Sequence, residues 1–153
     1  MDSYAKDKVS DYTRNDVATA NRLQLLLMLY DSAVKFMFVA VKRIEAGDLA
    51  GKGEYIGKAL AIINEFRNTL DFGPAPELAR NLDRLYSFIA DALIEANIRN
   101  DKKRLGDALK VTNTLRSAWA ELAARQQSGD VKDAALEQAS RGATTDSLVR
   151  ISV

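Results

Sequence analysis

Apolar side chains recur along this chain at steps of three and four residues, in four runs separated by short polar breaks. In the first run they occupy positions 23, 27, 30, 34, 37, 41 and 44, the a/d spacing of a helix in a bundle. Asn21 suits an N-cap and Gln24 completes a variant of the capping box. The spacing therefore predicts a helix from Asn21 to Gly47-Asp48, with glycine at the left-handed C′ position. A second helix is expected to begin between Leu49 and Glu54 and to run to Leu70, with Ile56, Ala59, Ile63, Phe66 and Leu70 on its inner stripe. Gly51, Gly53 and Gly57 weaken its first turns by up to about 1 kcal/mol each. Asp71 to Pro76 breaks the pattern, and Pro76 fits the first position of the next helix. The third stripe is Leu78, Leu82, Leu85, Ile89, Ala92 and Ala96. After a tight NIRND connection at 97–101, the fourth is Leu105, Ala108, Thr112, Leu115, Trp119 and Leu122. β-type alternation occurs only in the last residues, LVRISV.

These runs predict an all-α fold, an antiparallel four-helix bundle over residues 21–124. A polar N-terminal arm, residues 1–20, precedes it, and a polar tail, residues 125–153, follows it, with Val131 to Ala139 able to form one short extra helix.

The first helix has more apolar residues than one seam uses, as LQLLLMLY at 23–30 shows. Leu26, Leu29, Ala33, Phe36 and Ala40 form a neighbouring stripe that a bundle can also bury, which leaves Leu25, Met28 and Phe38 pointing elsewhere. Either the chain covers this helix on most sides or part of the surplus awaits a partner, since large exposed apolar patches mark interaction sites. Leucine and methionine suit a groove that takes an amphipathic helix.

Composition narrows the function. Lys+Arg number 22 and Asp+Glu 21, which gives no electrostatic reason to expect nucleic acid or an anionic membrane. Cysteine and histidine are absent, removing thiolate sites and the commonest general base and metal ligand. The start lacks the apolar core of a signal peptide, and Asp31 and Lys35 interrupt the apolar run well short of the ~20 residues of a membrane span. A soluble cytoplasmic protein is expected. Glu45, Glu65 and Glu95 lack a Glu-x-x-His companion, the aspartates lack a calcium-loop glycine pattern, and GKGEYIGK lacks phosphate-loop spacing. No enzymatic activity, metal or cofactor is expected.

Tyr12, Asn15, Val17, Thr19 and Ala20, followed by LLLMLYD at 25–31 and Ala33, resemble the opening of the FliS family of flagellar export chaperones. Further blocks match in order: YIGKALAIINEFRNTLD at 55–71, ELARNLDRLYSFI at 77–89, LIEANIRND at 93–101 and LRSAW at 115–119. Asn21-Arg22 stands where the family has serine and proline, Ser32 replaces a glycine, and the 72–76 connection and the tail are this chain's own. The resemblance implies a small cytoplasmic bundle that binds the disordered C-terminal segment of flagellin. Such binding prevents premature polymerisation and supports delivery to the flagellar type III export apparatus, with no nucleotide or metal.

Tyr12, with Asn15 and Val17 beside it, is the first candidate for partner contact: the arm either regulates a groove or packs on the bundle. Leu26, Tyr30, Tyr86 and Trp119 are further candidates, with a place in the core as the alternative that helical spacing offers each of them. Asn97 and Asn100 complete the set, with helix capping as their alternative role. A self-associating structural or regulatory bundle, a homodimer joined through the first helix, is the competing reading.

Overall fold

The computed structural model describes the backbone of residues 2–128 and side chains within residues 21–127. Among the described residues four helices follow one another: α1 (Asp2–Glu45), α2 (Leu49–Asn68), α3 (Pro76–Arg99) and α4 (Lys102–Ser128). α1 packs on α2 and α4, and α3 closes the other side against the same two. The result is the expected all-α four-helix bundle, with short connections that force antiparallel neighbours.

Two of these connections are made by left-handed residues. Gly47 has φ +73°. The Asp48 N–H reaches back to the Arg43 carbonyl at 2.9 Å and the Gly47 N–H to Ile44 at 3.0 Å, a Schellman ending. Asn100, at φ 54°, closes α3 in a related way, its N–H and that of Asp101 both returning to the Ala96 carbonyl. Asp101 then accepts the Arg104 N–H at 3.1 Å and so starts α4. Asp48 does the same for α2, accepting the Gly51 N–H at 2.9 Å. A Cβ at residue 51 would collide with that carboxylate, which explains a glycine that costs helix propensity.

The predicted start of α1 is corrected. Asn21 and Gln24 form no cap, because the helix runs unbroken through them from Asp2. Residues 2–20 contain neither glycine nor proline, so nothing in them stops helix propagation towards the N-terminus. Tyr12, Asn15 and Val17 lie on this helical extension, and their side chains fall outside those described. The tail beyond Ser128, including Val131 to Ala139, also lies outside the described residues.

The inner face of α1 is rotated relative to the predicted seam. Leu23, Tyr30 and Met37 are buried as expected, but Leu27, Val34, Val41 and Ile44 are only half-buried, while Leu26, Leu29, Ala33 and Ala40 lie in the core. A straight 3.6-residue helix drifts off a 3.5-residue repeat, and a helix wedged between two neighbours buries a face wider than one seam. On α3, Tyr86 is buried in place of the expected Leu85. The α2 and α4 stripes are seated as predicted, with Leu70 and Leu122 at their half-buried margins.

By length and composition Asn21–Glu45 is apolar enough to cross a membrane, contrary to the expectation from its interrupted run. In the bundle its apolar stripe lies against α2 and α4, and Asp31, on its outer side, is ion-paired with Arg116 of α4.

Candidate functional site

Aromatic residues from all four helices meet at the centre of the bundle. Tyr30 stacks on Phe66 with ring centroids 4.7 Å apart, and Phe66 lies 5.7 Å from Tyr86. The two tyrosine hydroxyls share a 2.6 Å hydrogen bond, and the Trp119 indole N–H donates to the Tyr30 hydroxyl at 3.2 Å. Burial drives the Tyr30 phenol well above its ordinary range and pushes Tyr86 up to about 12. Thr112 sits nearby without orphaned atoms, its hydroxyl donating to the Ala108 carbonyl at 2.7 Å. Leu26 is fully buried as well. Leu26, Tyr30, Tyr86 and Trp119 are therefore core residues in the free chain, the place that helical spacing offered as the alternative to partner contact. Tyrosine and tryptophan serve in a core when each polar tip finds a partner, and here they find one another.

The NIRND turn is held from the opposite helix by a residue that spacing did not single out. Lys52 is buried, and its ammonium donates to the Asn97 carbonyl at 2.9 Å and to the Asn100 side-chain oxygen. A cation placed on the last carbonyls of α3 complements the negative end of that helix. Asn97 and Asn100 are thus tied into this staple while remaining solvent-exposed, and Asn100 is the capping residue the alternative reading expected.

The surplus apolar surface lies elsewhere. On the outer face of α1, Met28 is 61% exposed and Phe38 53%. On α3, Ile94 is 44% exposed and Ile98 76%. The first pair was legible as residues left over from the α1 stripes. The second was missed, although Ile94 and Ile98 are a one-turn pair outside the α3 stripe and carried the signal. Phe88 is covered on one side by the Arg104 guanidinium, 5.0 Å from its ring centre.

Ile94 and Ile98 border a furrow between α2 and α3. Its two ends are marked by Gly53 against Asn97, where an added Cβ would stand 3.8 Å from the side-chain oxygen, and by the 2.9 Å Arg67–Asp83 ion pair. This antiparallel register brings Gly57 level with Leu93 and Ile94, and a Cβ at Gly57 would meet nothing within 4 Å. The furrow is therefore shallow-walled on the α2 side and lined by isoleucine on the other.

Among the described residues the carboxylates do not assemble into a reactive cluster. Glu45 is paired with Lys102 at 2.8 Å, which lowers its carboxyl below the usual range, and Glu95 with Arg104 at 2.8 Å. Among the described residues no three acidic side chains are grouped as metal ligands. What the arrangement offers is apolar surface on two faces of a bundle whose own core is complete without it.

The profile of the family described as flagellar protein FliS matches residues 5–127. The chain belongs to the FliS family. Relatives include the flagellar secretion chaperone FliS of Vibrio cholerae, 30% identical over 108 residues covering 71% of this chain and 79% of that protein. The flagellar secretion chaperone FliS of Bacillus subtilis is 35% identical over 108 residues, 71% of this chain and 80% of the relative. That of Salmonella typhimurium is 34% identical over 107 residues, 69% and 79% respectively. The FliS match thus takes in the whole bundle and most of the helical extension at the start of α1.

Proposed function

We propose that this FliS family member is a cytoplasmic flagellar secretion chaperone that binds the disordered C-terminal segment of flagellin. It holds flagellin unpolymerised until delivery to the flagellar type III export apparatus. The observation that carries the reading is the exposed apolar surface at Met28 and Phe38 on one helix and at Ile94 and Ile98 on another. A guest with a shape of its own would dock on one of these faces. A segment without one can wrap around the bundle and use both. Ordering such a guest costs about 2–5 kcal/mol, which only a long apolar contact offsets.

In this reading the helical extension bearing Tyr12, Asn15 and Val17 regulates access to the guest surface, and Asn97 sits at the rim of the α2–α3 furrow. The role is one of binding rather than catalysis, and it needs no cofactor.

Calorimetric titration with a peptide from the C-terminus of the same organism's flagellin tests the proposal. Binding tighter than roughly tens of micromolar is expected, with a negative heat-capacity change from buried apolar area. A chain that ignores the peptide, and persists as a dimer on dilution to nanomolar concentration, would instead be a self-associating bundle.

A further inference from the structure

We infer that the chain's own segment Leu148–Val153 docks in the α2–α3 furrow against Ile94 and Ile98, covering it until another chain displaces it. Four observations converge on this occupant. After the polar stretch that follows α4, LVRISV is the one strongly apolar stretch near the end of the sequence, and its alternation of Val149, Ile151 and Val153 with Arg150 and Ser152 is that of an extended strand.

The spacing fits the surface. Alternate side chains of an extended segment stand ~6.6 Å apart, and Ile94 and Ile98, four residues apart on a helix, are separated by ~6 Å along its axis. Val149 and Ile151, or Ile151 and Val153, can therefore each take one isoleucine. Opposite them, the open backbone at Gly57 leaves room for a chain to lie close to α2.

Charge fits as well. Arg150 is the one charged residue of the segment. Asp91, exposed on α3 one turn before Ile94 and Glu95, is in no ion pair among the described residues. A neighbouring arginine would complete it.

Reach is sufficient. α4 ends at Ser128, at the end of the bundle opposite the NIRND turn. The polar stretch from there to Ser147 can extend ~60 Å, whereas α4 itself is ~40 Å long. Tethering over that length holds the segment at roughly millimolar effective concentration, enough to sustain a contact that would be weak between separate chains.

The docked segment lowers the apparent affinity of any guest using Ile94 and Ile98, since the guest must displace it. The contact itself forms without a guest, so its test is independent of the flagellin reading. The natural chain has no cysteine, so Ser152→Cys gives a single site for a nitroxide label on the full chain. The expected result is loss of the Ile94 and Ile98 methyl signals while the label is paramagnetic and their return on its reduction, with the Leu23 methyls, about 30 Å along α1 from the NIRND end, retained throughout. Adding Ile151→Asp should restore the two signals. The inference is overturned if Ile94 and Ile98 broaden no more than Leu23 or if the effect survives Ile151→Asp. It is also overturned if the effect appears equally when an unlabelled, isotope-enriched chain is mixed with a labelled one, which would mean contact between copies.

Discussion

Tyr30→Ala should destabilise the bundle by about 3–5 kcal/mol, a large part of the roughly 5–15 kcal/mol that holds a domain of this size together. Tyr30 is fully buried against Phe66, and its hydroxyl is the shared partner of Tyr86 and of the Trp119 indole. Truncation removes the ring, leaves a cavity, and strands two polar atoms inside a dry core. Tyr30→Phe separates these contributions: it keeps nearly all the volume and should cost about 1–3 kcal/mol for the unpaired groups. Urea unfolding followed through Trp119, the single tryptophan, measures both. A Tyr30→Ala unfolding free energy within about 0.5 kcal/mol of the parent would mean that the aromatic cluster does not organise the core.

Substitution on the furrow should have the opposite character. The double variant Ile94→Asp and Ile98→Asp should weaken flagellin-peptide binding by about 30-fold or more, the loss typical of removing a central apolar anchor worth about 2 kcal/mol. Stability should barely move, because Ile98 is 76% exposed and Ile94 nearly half exposed in the free chain. Calorimetry beside a thermal melt separates the effects. Unchanged affinity with an unchanged melt would remove this furrow from the guest surface.

The contrast between these sites shows what the linear pattern could and could not convey. The α2 and α4 stripes were legible because each helix buries a single narrow face, so spacing alone names Ile56, Ile63 and Phe66, or Leu105, Leu115 and Trp119. α1 was harder. It is apolar over much of its circumference, and periodicity cannot decide which of two adjacent stripes faces inward when both are leucine-rich. Its beginning was misplaced because a favourable cap residue permits a helix start without requiring one, and nothing before Asn21 breaks a helix.

The site was legible in kind more than in detail. Excess apolar residues on α1 did signal exposed surface at Met28 and Phe38, whereas the candidates Tyr30 and Tyr86 are buried in the free chain. Tyr30 and Tyr86 lie 56 positions apart, and Tyr30 and Trp119 89. Only the fold brings their polar tips together and makes them compatible with burial. Lys52 is the same case in miniature: between two glycines it reads as a surface charge, yet it caps a helix end contributed by residues 97 and 100.

A solved complex of the full chain with the flagellin C-terminal segment tests most directly whether the surplus apolar surface exists for a guest. The account predicts that Met28, Phe38, Ile94 and Ile98 lose their exposure to the bound segment while the Tyr30–Tyr86–Trp119 cluster keeps its hydrogen bonds. A guest seated on charged surface with those four side chains still in water, or one that must open the aromatic core to bind, would contradict it.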